Sequence, residues 1–174
     1  GAGVRVVALH SPGASTHEVI EGVEVFRPPY WWPERQESLR KGGGGLPVTL
    51  RTSNLARIQL APFFGIFGKA VADAARDCDL VHAQWTLAGA AALGTARLHR
   101  RPVVVTVQGS DVFQVPKLPL GTPFTRWVLK NAQQVTALSQ ALKRAVEAVG
   151  VPGERVQVIP NGVELGLYKT GIHD

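Results

Sequence analysis

The sequence predicts an α/β domain, a parallel sheet of short apolar strands covered by helices. Three observations predict it. From residue 54 onward, helical and strand patterns alternate strictly, the signature of strands joined by crossover helices. The strand candidates are short apolar runs, and 103–107 (VVVTV) is apolar throughout, as a strand buried on both faces should be. Polar and small residues gather just after these runs, and such sheets bind ligands outside the carboxyl ends of their strands.

The elements follow in order. Residues 4–9 (VRVVAL) are β-branched and predict a strand, 10–18 is turn-rich, and 23–27 (VEVFR) alternates as a second strand. Only a loop separates the two, so they are expected to be neighbours without a crossover helix. Residues 28–52 hold Pro28, Pro29, Pro33 and the run Gly42–Gly45 and predict a long irregular loop. The glycine run fits a mobile linker, or a backbone nest for an anion. Trp31 and Trp32 suit either stacking on a sugar face or plugging a sheet edge.

Ser53 is placed to cap a helix starting at Asn54, and Pro62 is expected to break or restart it. Residues 63–76 continue as an apolar helix, and Leu60–Phe67 reads as buried, with contact to lipid headgroups as the alternative. A strand at 80–83 leads to an Ala/Leu-rich helix over 86–99. After strand 103–107 and loop 108–121, Thr122-Pro123 predicts a cap and first helical position for a helix over 123–132. Strand 134–138 follows. Ser139 caps a helix through Val149, closed by Gly150, and 155–159 is the last strand. Pro160-Asn161-Gly162 turns, and 163–174 reads as a tail.

The chain has 174 residues, the size of one domain. A net charge of +6 favours anionic partners. Zinc-finger spacing and the aromatic strand motif of RNA-binding sheets are missing, which argues against nucleic acid. Arg35, Arg40, Lys41, Arg51 and Arg57 form a basic patch in sequence: a solvated face, or a site for an anionic acceptor or membrane surface. No apolar run reaches about 18 residues, so no bilayer span is expected, and no secretory leader pattern opens the sequence. With Cys78 alone, no internal disulfide forms, and a reducing cytoplasm fits best. No metal-ligand spacing occurs. The missing G-x-G-x-x-G, G-x-x-x-x-G-K-[ST] and G-x-S-x-G patterns disfavour dinucleotide oxidoreductases, P-loop nucleotidases and α/β-hydrolases.

The strand ends carry His82, Gln84 and Trp85, then Gln108, Gly109, Ser110 and Asp111, then Ser139, then Asn161, Gly162 and Glu164. Gly109 lets backbone N–H groups approach a ligand. Asp111 is suited to accept hydrogen bonds from sugar hydroxyls, or to stabilise its own loop. Ser139 sits at a helix start, where free N–H groups favour a phosphate. His82 is read as a ligand-facing group or as a hydrogen-bonded histidine at the sheet edge.

The segments 79–85 (DLVHAQW), 103–111 (VVVTVQGSD), 135–139 (VTALS) and 151–164 (VPGERVQVIPNGVE) together resemble the N-terminal half of the GT-B glycosyltransferases of family 4. The resemblance implies a Rossmann-like sheet with helices on both faces, one half of a GT-B fold. Residues 1–160 would form the acceptor-binding domain and 161–174 the start of an interdomain linker. Val4–Leu9 resembles the family's second strand, so the first strand-helix unit is expected to be absent, leaving apolar sheet surface exposed. The family's H-G-x-D histidine is Gln108 here, which can hydrogen-bond but carries no proton for acid/base work.

The implied activity is transfer of a sugar, hexosyltransferase-like and with retention, from a nucleotide-sugar to an acceptor hydroxyl. No metal or cofactor is implied, the nucleotide-sugar being a co-substrate. Its donor would bind a second, C-terminal domain, so residues 1–174 alone are expected to be inactive. The acceptor would be a sugar or a lipid-linked sugar, at the cytoplasmic side of a membrane with peripheral contact. The alternative is a non-catalytic sugar- or nucleotide-binding module, or one subunit of a split transferase.

Overall fold

The computed structural model describes residues 3–40 and 45–163. Lys41, the glycines 42–44 and the expected tail from Glu164 onward lie outside the described residues. Two sheets are formed. Strands β1 (Arg5–Val7), β2 (His17–Ile20) and β3 (Val23–Phe26) make one, in the order β1-β3-β2. Strands β4 (Val81–Gln84), β5 (Val103–Val107), β6 (Gln134–Ala137) and β7 (Val156–Val158) make the other, in sequential order and all parallel.

The first and second predicted strands are indeed neighbours: β1 pairs with β3 in parallel. The strand β2 begins inside the stretch 10–18 read as turn-rich and runs two residues past it. It pairs antiparallel with β3 through a two-residue turn, Glu21-Gly22, with φ of 51° and 83°. Positive φ at both positions matches the right-handed twist of a hairpin.

The segment 28–52 is not one irregular loop. Residues 45–52 form helix α1, and a buried polar cluster fixes the part before it. His10 Nδ1 lies 2.6 Å from Glu37 Oε2, with both side chains almost fully buried. Glu37 Oε1 accepts from Tyr30 N at 2.8 Å, and Tyr30 Oη accepts from Leu39 N at 3.1 Å. Gln59, on helix α2 (Asn54–Ala74), accepts from Ser38 N and Oγ and donates to Gln36 O. These contacts replace the regular backbone pairing that the segment lacks. Trp31 packs against the core, whereas Trp32 is 85% exposed.

Helix α2 (Asn54–Ala74) begins as expected, with Ser53 Oγ accepting from Ala56 N. It runs unbroken through Pro62, contrary to the expected break. Proline removes the bond to the carbonyl four residues back, that of Ile58, and Ile58 lies on the solvent side. The carbonyl freed at Ile58 is therefore on the face open to solvent. The predicted helix 86–99 divides at Thr95 into α3 (Thr86–Gly94) and α4 (Ala96–His99), where Thr95 Oγ1 turns back to Ala91 O. Within 108–121 lies a short helix α5 (Ser110–Phe113). Helix α6 (Gly121–Asn131) starts after Leu120 in the left-handed region, and Thr122 bonds Pro116 O instead of capping. Helix α7 (Gln140–Ala148) is capped by Ser139 and followed, after the C-cap Val149, by Gly150 with φ 92°, the stop glycine expected there.

The core is the valine-rich face of the parallel sheet under these helices, with Val103, Val105, Val107 and Val135 essentially inaccessible. The isolation of the His10–Glu37 pair from solvent makes a test. Removing one partner of a buried pair strands the other, at a cost of about 3–5 kcal/mol. Glu37→Ala should therefore lower unfolding stability in urea by about that amount. A loss below about 1 kcal/mol, the value of an exposed pair, would show that the cluster does not organise the 28–39 segment.

Candidate functional site

Because β4 to β7 are all parallel, their carboxyl ends share one edge. Every residue proposed from the sequence stands at or just beyond that edge: His82 and Gln84 on β4, 108–111 after β5, Ser139 after β6, and Asn161 and Gly162 after β7.

Three of these side chains touch. The pairing register sets Gln84 opposite Thr106, so His82, Gln84, Thr106, Gln108 and Thr136 share one sheet face. Gln108 Nε2 donates to Gln84 Oε1 at 2.8 Å. Gln84 Nε2 lies 3.2 Å from His82 Nε2, and since the amide nitrogen only donates, the ring nitrogen accepts. Thr106 Oγ1 is 2.7 Å from the same ring nitrogen and also meets Thr136 Oγ1. The chain Gln108–Gln84–His82–Thr106–Thr136 crosses three strands. Its glutamines and histidine are exposed, and its threonines are buried.

Asp111 is turned inward. Its carboxylate is fully buried and accepts from Gln108 N at 3.1 Å and Gly109 N at 2.9 Å. It stabilises its own loop, the alternative weighed from the sequence, and is in no position to meet a sugar hydroxyl. Burial pushes its carboxyl above the ordinary 3.8, and the N–H groups of Gly109 and Gln108 pull the other way. Gly109 adopts φ 121°, a conformation closed to side chains, so the loop after β5 can turn only at glycine.

Trp85 stands among the strand-end residues of the sequence, where it was given no role. It links β4 to α3 with φ 83°, and its Nε1 donates to Ser110 Oγ at 2.9 Å. That bond leaves the Ser110 hydroxyl proton free to donate outward. A cleft of about 630 Å³ opens beside it between the ends of β1 and β4. Leu9, Leu39 and Phe63 form its apolar side, and Gln84, Gln108 and Ser110 its polar side, with Arg40 at the margin. Ser139 Oγ accepts from Leu142 N at 3.2 Å, and Leu142 approaches Gly109, so α7 begins beside the Gly109 loop. Asn161 and Gly162 are exposed just past the end of β7, on the same edge. Among the described residues, no group of three or more His, Cys, Asp or Glu is assembled that could hold a metal ion.

The raised Asp111 value has a definite sign. A carboxyl that holds its proton more tightly folded than unfolded gives its greatest stability below pH 3.8. That contribution is lost as pH rises from 3.8 through the raised native value, and is constant above it. Urea midpoints of the Asp111→Asn variant should lack this decline. A wild type and variant with parallel pH profiles would contradict the burial of the charge.

The family model for Glycosyltransferase Family 4 matches residues 1–167. Two solved structures of the Anabaena protein Alr3699/HepE are similar. One, in complex with UDP-glucose, is 26% identical with a TM-score of 0.51, covering 61% of this chain and 29% of that one. The other, with UDP and glucose, is 27% identical with a TM-score of 0.51, covering 60% and 29%. This chain thus spans less than a third of the length of those structures. No curated protein matches it.

Proposed function

The chain belongs to glycosyltransferase family 4, and from that premise we propose that it forms the acceptor-binding half of a retaining, hexosyltransferase-like enzyme. The carrying observation is the exposed Gln108–Gln84–His82 chain beside Ser110 at the carboxyl edge of a parallel sheet, above an apolar cleft. The HepE structures hold UDP-glucose, or UDP and glucose, and this supports a nucleotide-sugar as donor. The donor is held by a second domain, for which the segment around Asn161 and Gly162 begins the linker.

In this reading the acceptor hydroxyl lies against the edge. Gln108 Oε1 and the Ser110 hydroxyl proton, both unused inside the network, accept from and donate to the acceptor's hydroxyls. Asp111 holds the loop that carries them, and the free N–H groups behind Ser139 face anionic oxygens. The bond from the sugar's anomeric carbon to the leaving phosphate breaks as the acceptor oxygen bonds to the same face. The acceptor's proton passes to the leaving phosphate oxygen. No side chain here serves as nucleophile or base, and no cofactor is needed. The protein contributes positioning and hydrogen bonding. The acceptor is a sugar or a lipid-linked sugar, whose apolar part suits the cleft walls, and the site lies at the cytoplasmic side of a membrane.

The test is transfer by the full-length protein against a panel of UDP-, GDP- and ADP-sugars. Gln108→Ala and Gln84→Ala should each raise the acceptor KM by about tenfold, the value of a lost hydrogen bond, with the donor KM unchanged. Residues 1–174 alone should give little heat on titration with the same donors. Tight donor binding by that fragment would overturn the assignment to the acceptor side.

A further inference from the structure

Tryptophan is the least expected residue type at position 85. Its φ of 83° and ψ of 151° lie in a region that glycine alone ordinarily enters. Arg100 and Leu120 also have positive φ, but with ψ of 27° and 8° they keep to the left-handed helical region, which side chains tolerate better. The strain at Trp85 is held from three sides. Its N–H donates to Thr106 O, its carbonyl accepts from Gly89 N, and its indole Nε1 donates to Ser110 Oγ. A strained residue that its surroundings over-determine points to a use for its side chain.

Core packing is not that use. Trp85 is half-buried and is no part of the hydrophobic cluster that takes in Trp31, Leu87 and Ala88. It lines the cleft instead, together with Gln84, Gln108 and Ser110. Of the four tryptophans, all within the described residues, it is the one that does so. Trp31 packs against the core, Trp32 stands out in solvent, and Trp127 walls a separate groove between α2, α3 and α6. The stacking role weighed for Trp31 and Trp32 therefore passes to Trp85. An indole offers flat apolar faces, and its one polar atom is here already satisfied by Ser110. A pyranose has the complementary shape, with C–H bonds on its faces and hydroxyls around its rim. Laid on the indole, it would bring rim hydroxyls to Gln84, Gln108 and Ser110. An open-chain polyol with as many hydroxyls has no such face.

We infer that Trp85 is the platform on which a pyranose ring of the acceptor stacks, and that it selects a ring over an open chain. This rests on the acceptor-side reading above and narrows it. The full-length protein is to be titrated with methyl glucopyranoside, galactopyranoside and mannopyranoside, and with the alditols sorbitol and mannitol, followed by saturation-transfer NMR. At least one pyranoside should bind about tenfold more tightly than either alditol, with saturation strongest at the C–H protons of one ring face. Trp85→Phe keeps an aromatic face but gives up the bond to Ser110, and should retain most of that preference. Trp85→Gly suits the backbone at φ 83° and removes the ring, and should lose about tenfold. Should its thermal melt fall, Trp85→Leu, apolar but without a flat face, replaces it with the same expected loss. Losses that are equal in the phenylalanine and the ring-free variants would mean that Trp85 only holds Ser110, and would overturn the inference. So would equal binding of pyranosides and alditols, or no pyranoside binding. Gln108→Ala separates the two readings: if it weakens rings and alditols alike while the Trp85 variants change nothing, the acceptor site stands and the platform falls.

Discussion

The architecture rests on how closely helix α3 lies on strand β5. A Cβ added at Gly89 would sit 2.9 Å from a Val128 methyl and 3.0 Å from a Val105 methyl. Only a glycine permits that approach, and the alanines at 90–92 extend it along the helix. Two consequences follow. The central strand is sealed, which is why its valines are inaccessible. The link from β4 into α3 also shrinks to one residue, Trp85, which takes the positive φ that so short a link demands. The tryptophan that positions Ser110 is thus set by packing at Gly89.

The same constraint explains why the polar chain lies where it does. With one sheet face closed by α3, the alternate positions 82, 84, 106 and 136 point to the other. Buried threonines there need partners, and they find each other and His82. His82 is therefore oriented from beneath by Thr106 and from the side by Gln84. Its role as a ligand-facing group and its role as a satisfied edge histidine are two ends of one hydrogen-bonded chain. Asp111 stands apart because its loop turns inward at Gly109. What it contributes to the edge is the conformation of residues 108–110.

The parallel strands were legible because each is a compact apolar run, and β5 was read to the residue. Caps at Ser53 and Ser139 were legible because one hydroxyl decides each. The hairpin strand β2 was hidden because His17–Ile20 carries His and Glu on an exposed sheet, where burial leaves no apolar alternation to read. Helix α1 was hidden behind glycine and proline, and the order of 28–39 depends on contacts from His10 and Gln59, far away in sequence. At the site, the residue types at the strand ends were visible, but their connection was not. It needed the β4–β5–β6 register, which brings Thr106 and Thr136 under His82. A parity argument across the three strands could have found those threonines.

Direction ties the cationic helices to the site. Arg5, at the start of β1, bonds Ala74 O at the end of α2, so the helix runs antiparallel to β1 and begins on the side where β1 ends. The cleft lined by Val7–Leu9 also contains Leu46 and Pro47 of α1 and Gln84 and Trp85 of β4. The start of α2, with Leu55, Ile58 and the Arg51–Arg57 pair of cations, therefore lies on the same side of the domain as the carboxyl edge.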